Sequence, residues 1–277
     1  ALRADGSGVR CWGANDADLL GLGIAESAAA QAVPVAGLTA PVSAVELGQS
    51  FACAVQGANA LACWGADTDV LFSSLGLPAV TAKSSLVQSG NVADLTIGAA
   101  NLCLHLKTAA IACMGSNASV ALGNGTADAQ STPVEPIVLP KDISIVVQGP
   151  GDHACAITKA GELYCWGKND RGQATVSPGA AVSIPTPVNA LGGAKTGLAL
   201  GNGFTCVVSA GAVKCFGINS LGQLGNGSTL EEPVIQATQG LQTGAVSVGA
   251  GPKHACAVKA DGTVWCWGQS EFLQAGK

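Results

Sequence analysis

Six copies of one tripeptide, spaced 50 to 52 residues apart, divide this chain of 277 residues into repeats. They are Cys11-Trp12-Gly13, Cys63-Trp64-Gly65, Cys113-Met114-Gly115, Cys165-Trp166-Gly167, Cys215-Phe216-Gly217 and Cys266-Trp267-Gly268. Self-similarity at a period of this size marks a fold assembled from supersecondary units, each of which buries its apolar face against its neighbours. The period predicts one repeat domain across residues 1–277. Its units fall near 1–40, 41–90, 91–141, 142–193, 194–242 and 243–277, the first and last partial.

Each unit reads as strands. Five of the six tripeptides have a second cysteine nine or ten residues upstream: Cys53, Cys103, Cys155, Cys206 and Cys256. The residues between alternate and are broken by turn formers, as in Ala257 to Trp265 around Asp261-Gly262, which is a hairpin signal. Paired positions in a hairpin have a constant index sum, so placing the two cysteines opposite each other fixes the register. Val55 then faces Leu61, and Val258 faces Val264. In the shorter Cys206–Cys215 interval, Val208 faces Val213 around a two-residue Ala210-Gly211 turn. Aliphatic meets aliphatic although the loops differ in length. The same rule puts His105 opposite Ile111, where a half-buried, hydrogen-bonded histidine is expected.

Alternating stretches before the first cysteine, such as Val42 to Gly48 and Thr243 to Gly249, predict an inner strand. A polar, glycine-rich loop such as Asn219 to Ser228 follows the tripeptide. Beyond it, proline-marked stretches such as Pro185-Thr186-Pro187-Val188 predict a strand on the sheet's outer edge, where a missing N–H costs no ladder bond. Four short antiparallel strands per fifty residues, repeated radially, describe a propeller blade. The expected fold class is therefore all-β: a β-propeller of six or seven blades.

The run from His254-Ala255-Cys256-Ala257-Val258 to Cys266-Trp267-Gly268, and the run Gly217 to Gly227 with its Asn219-Ser220-Leu221-Gly222-Gln223-Leu224-Gly225, resemble the repeat of the regulator of chromosome condensation family. Weaker copies cover essentially the whole chain. The resemblance implies a β-propeller, typically seven-bladed. Family members include a nuclear guanine-nucleotide exchange factor, a plant ultraviolet photoreceptor and a secreted bacterial β-lactamase inhibitor, so fold does not carry function. Photoreception of the plant kind depends on a tight tryptophan cluster. Here Trp12, Trp64, Trp166 and Trp267 occur once per repeat at one position, which predicts packing between blades. Trp265 breaks the pattern; it is read as lying on the strand face opposite Trp267 and as a candidate contact residue.

Eleven cysteines could serve as disulfides, metal ligands or a redox centre. Zinc sites need ligands clustered as in Cys-x-x-Cys, which this sequence lacks, and a catalytic thiol would not recur once per repeat. Opposed cysteines on neighbouring strands suit a disulfide. The pairs expected are Cys53–Cys63, Cys103–Cys113, Cys155–Cys165, Cys206–Cys215 and Cys256–Cys266. Cys11 is left unpaired, because the register places its mate immediately before Ala1. The expectation is a chain that starts in mid-hairpin, as a segment of a longer polypeptide. Five bridges point to an oxidising compartment, whether secreted, cell-surface or periplasmic. Asn117, Asn124 and Asn226 open Asn-x-Ser/Thr sequons, candidate glycan sites in a eukaryotic source.

Charged residues make up only 11% of the chain and the net charge is −5, a surface unsuited to nucleic acid or anionic lipid. The apolar runs are too short for a membrane-crossing helix, so no membrane insertion is expected. His105, His153 and His254 occupy strand positions, no phosphate-binding loop appears and the carboxylates are scattered, so no catalytic, metal or cofactor site is expected. The expected function is that of an extracellular or surface module, structural or protein-binding, within a larger assembly. Its protein partner would be met through the loops at residues 67–74, 178–184 and 228–233. A secreted inhibitor that caps an enzyme with one propeller face is an alternative. Carbohydrate binding is another, with only Phe72 and Phe272 as aromatic platforms. Guanine-nucleotide exchange comes last, since a cytosolic GTPase and stable disulfides do not share a compartment.

Overall fold

The computed structural model describes all residues except 4, 16–17, 24–26, 40, 49, 67–79, 89–90 and 272–277. The regular structure of the described residues is β-strand, apart from one 3-10 turn at Asn189–Leu191. Contacts gather the chain into two compact units. One comprises residues 1–116 and 129–135, the other residues 117–128 and 136–277.

In the second unit, each repeat folds into an antiparallel sheet whose strands follow chain order. The Cys155 blade contains Ile143–Gln148, His153–Thr158, Leu163–Gly167 and Val182–Pro187. The Cys206 blade contains Lys195–Leu200, Phe204–Ser209, Ala212–Gly217 and the short Gln236–Ala237. The Cys256 blade has three described strands, Ala245–Ala250, His254–Lys259 and Val264–Gly268. In the first unit, the Cys53 blade runs Val42–Leu47, Phe51–Gln56, Ala60–Ala66 and Val80–Gln88. The Cys103 blade runs Val92–Ile97, Asn101–Leu106, Ile111–Gly115 and Gln130–Val134. The Cys11 repeat contributes a two-stranded sheet of Arg10–Ala14 and Ala28–Pro34.

The register follows the cysteines. Val55 pairs with Leu61, His105 with Ile111, Val208 with Val213 and Val258 with Val264. Ala210 and Gly211 form the two-residue turn at φ 50° and 77°, the left-handed pair that matches strand twist in a tight hairpin. In the Cys11 repeat, Leu2 bridges to Val9. Cys11 remains a free, buried thiol, and burial pushes its pKa up. One element escapes the sequence pattern: the first strand of each of the five cystine blades slips register near its start, as between Ile143 and Ile145. Such a bulge bends the strand and adds local twist.

All five expected disulfides form, with Cα–Cα separations of 4.0 to 4.1 Å, near the closer of the two antiparallel spacings. Eight of the ten cysteines, from Cys53 to Cys215, are fully buried. Six of them, all but Cys103 and Cys113, lie within apolar clusters that join neighbouring blades, such as Cys155, Ile157 and Cys165 with Leu198, Val207 and Phe216. The glycine of the tripeptide has its own cause. At Gly167, φ is +94° and a Cβ would stand 2.6 Å from the Asp152 carbonyl oxygen, so the backbones meet there only without a side chain.

Candidate interaction site

The tryptophan of the tripeptide fixes the loop of the preceding repeat. Trp64 Nε1 donates to Leu19 O at 2.8 Å, Trp166 Nε1 to Ala121 O at 2.8 Å, and Trp267 Nε1 to Gln223 O at 2.7 Å. Each indole also covers a glycine with positive φ: Gly21, Gly123 and Gly225. The burial of Trp64 and Trp166 is complete, whereas Trp12 is 57% exposed. Trp265 does not lie on the opposite face from Trp267, as the sequence reading had it. Side chains alternate with period two, so residues 265 and 267 share a face with Cys266 between them. Accordingly, Trp265 lies against Gly240 as Trp267 lies against Gly225, with Lys259 Nζ 5.9 Å from its ring centre.

Four of the loops after the tripeptide are built round a buried asparagine. The Oδ1 atoms of Asn15, Asn117, Asn169 and Asn219 accept the N–H five residues on, at 2.8 to 3.1 Å. The Nδ2 groups of Asn117, Asn169 and Asn219 donate to the carbonyls of Thr126, Ser177 and Ser228. This arrangement corrects one candidate glycan site. Asn117 is 1% exposed and its Nδ2, the atom a glycan would occupy, is committed to Asn124 Oδ1 and Thr126 O. Asn124 and Asn226 stand at equivalent, half-buried places and engage only their Oδ1 atoms in the hydrogen bonds described.

Framed in this way, the loops of the Cys155 and Cys206 repeats enclose two adjoining cavities in the second unit. A cavity of about 210 Å³ is lined by Pro178, Glu231 and Pro233, so two of the loops expected to carry contacts, at 178–184 and 228–233, do meet. The loop at 67–74, with Phe72, lies outside the described residues, as does Phe272. Arg171 and Asp170 line this cavity and a larger one of about 300 Å³. An ion pair of 3.1 Å from Arg171 to Glu231 ties the two loops together. Both side chains are part-exposed, so the pair sets geometry more than it stabilises.

The larger cavity collects Lys168, Arg171 and Lys253, with the buried amides of Gln173 and Gln223. Burial pushes the Asp170 carboxyl up, but the Gln173 amide and the charges of Lys168 and Arg171 outweigh it and hold the pKa below its usual value. These residues were not singled out from the sequence. The available signal was the difference between two otherwise matching loops, Asn169-Asp170-Arg171-Gly172-Gln173 and Asn219-Ser220-Leu221-Gly222-Gln223.

The model of the Regulator of chromosome condensation (RCC1) repeat matches residues 143–173 and 245–274, which contain the Cys155 and Cys256 hairpins. Human (Homo sapiens) E3 ubiquitin-protein ligase HERC2 is 27% identical over 144 residues, which are 49% of this chain and 3% of that protein. The secretion-regulating guanine nucleotide exchange factor of Bos taurus is 38% identical over 125 residues, 44% of this chain and 27% of that protein. The chain thus spans less than a third of the length of these relatives. In fold it is similar to the crystal structure of human WBSCR16, with a TM-score of 0.78 at 17% identity, over 94% of this chain and 74% of that one. Taken with the blade topology and the tripeptide geometry, these matches identify a β-propeller that resembles the regulator of chromosome condensation repeat family, in a cysteine-paired form.

Proposed function

We propose that this propeller works outside the reducing cytosol, secreted or on a cell surface, as a structural or protein-binding module of a larger assembly. The observation that carries the reading is the set of five cystines, one in each of five blades and all on the same pair of strand positions. Glutathione and thioredoxin keep cytosolic thiols reduced, so bridges repeated in this way fit an oxidising compartment. Each closes a loop of about ten residues and contributes roughly 2.5–3 kcal/mol at most on the chain-entropy estimate, since the hairpin already brings its arms together. The role is non-catalytic: the rigid loops, with their charged cavities, are the surface on which a partner would be met.

Guanine-nucleotide exchange is the second reading, favoured by the similarity to the bovine exchange factor. The two readings differ in compartment. Lysing source cells directly into denaturant with an alkylating agent, so that buried thiols are reached, and then measuring the protein by mass spectrometry is expected to find Cys11 as the one alkylated cysteine. Labelling of the ten paired cysteines would place the chain in a reducing compartment and favour exchange.

A further inference from the structure

We propose that the cavity beside Gln223 is a carboxylate-binding site for an acidic protein segment, which would supply from outside the group that Asp170 supplies within the preceding repeat. The two loops make the comparison internal to the molecule. In the Cys155 repeat, Gln173 accepts the Arg171 N–H on Oε1 at 2.8 Å and donates from Nε2 to Asp170 Oδ1 at 3.0 Å, so both ends of the amide are used. In the Cys206 repeat, Gln223 accepts the Leu221 N–H in the same way at 2.8 Å, but Ser220 stands where Asp170 stood. Gln223 is 2% exposed, it lines the cavity, and its Nε2 has no partner among the described residues. That Nε2 is not among the sealed, unpartnered atoms, so it is a donor open to the cavity that an acceptor on a ligand can take.

The surrounding groups select a carboxylate. Lys253 lines the same cavity and makes no ion pair among the described residues, while Lys168 is held only by an exposed contact of 3.7 Å to Asp170. Of the three cationic side chains at the cavity, Arg171 is paired with Glu231 and Lys168 with Asp170, whose carboxylate Gln173 also engages, so Lys253 is left without an acidic partner among the described residues. Donors therefore exceed free acceptors, and an arriving carboxylate would meet a neutral amide at the cavity wall with ammonium groups beside it. A sulfated polysaccharide fits less well. Such a polyanion needs an extended basic surface, and the chain as a whole carries −5. The proposal rests on the reading of the propeller as a protein-binding module, whose partner it names by chemistry.

Titrating a hexaglutamate peptide into the protein at low ionic strength tests it. Ser220→Asp would fill the site from within, and Lys253→Glu would reverse the charge beside it; both positions are exposed. Each substitution is expected to weaken binding about tenfold or more, with the melting temperature and the five cystines retained. Absence of binding by the unmodified protein, or affinity unchanged by both substitutions, would overturn the site. Displacement of the peptide by a heparin oligosaccharide of equal charge, with higher affinity, would overturn the assignment to a protein partner. The module reading fails separately. Labelling of the paired cysteines on direct lysis would sink its compartment while leaving a positive titration intact.

Discussion

Trp166→Ala is expected to lower the free energy of unfolding by about 3–5 kcal/mol, the range for removing a fully buried large aromatic. Trp166 has no exposure, its Nε1 donates to Ala121 O across a separation of 45 residues, and its ring covers Gly123. Truncation would open a cavity, orphan a buried carbonyl and release the loop built on Asn117. The matched control is Trp12→Ala. It removes the same residue type from the same repeat position where the indole is 57% exposed, and is expected to change stability by less than about 0.5 kcal/mol. Urea denaturation of both variants measures the difference. Equal effects would contradict the role assigned to the tripeptide's tryptophan as an inter-repeat clasp.

The second large effect is on acid stability and rests on His153. Thr205 Oγ1 donates to Gln173 O at 2.9 Å, so the 2.9 Å contact between Thr205 Oγ1 and His153 Nε2 requires the imidazole to donate from Nε2. The ring is then neutral, with Nδ1 buried and unpartnered. Burial lowers its pKa from 6.5 to about 4. The unfolded chain therefore takes up a proton in a range where the folded chain does not. The stability this provides is fully present above pH 6.5 and is lost as pH falls towards 4, by about 3 kcal/mol in all. Phenylalanine already occupies the same hairpin position at Phe51 and Phe204, each paired with the tripeptide glycine as His153 is. His153→Phe is expected to flatten the fall between pH 6.5 and 4, read as the urea midpoint at each pH. An unchanged slope in the variant would show that other groups carry the acid sensitivity.

Much of the fold could be read from the sequence because the fold repeats. A hairpin whose two arms each carry a cysteine has one register, and five copies test that register against unequal loops. The cystines, the paired aliphatic residues and the proline-marked edge strand followed from this. The bulge at the start of each first strand did not, since inserting a residue leaves no compositional trace in a stretch such as Ile143-Ser144-Ile145. Trp265 and Trp267 share one face, contrary to the expectation, because strand side chains alternate with a two-residue period. The sequon at Asn117 could be read only as a motif; its burial depends on hydrogen bonds to Asn124 and Thr126 that close the loop. The cavity beside Gln223 was hidden for a related reason. Repetition draws attention to what recurs, whereas that site arises from a single departure, Ser220 in place of an aspartate.

Peptide mapping under non-reducing conditions tests the central claim most directly, because it asks whether the cysteine of each tripeptide is bridged within its own blade. Expected are the five linked pairs Cys53–Cys63, Cys103–Cys113, Cys155–Cys165, Cys206–Cys215 and Cys256–Cys266, with no link between different blades. Links joining cysteines of different repeats, or a protein isolated under non-reducing conditions with these ten thiols free, would contradict it.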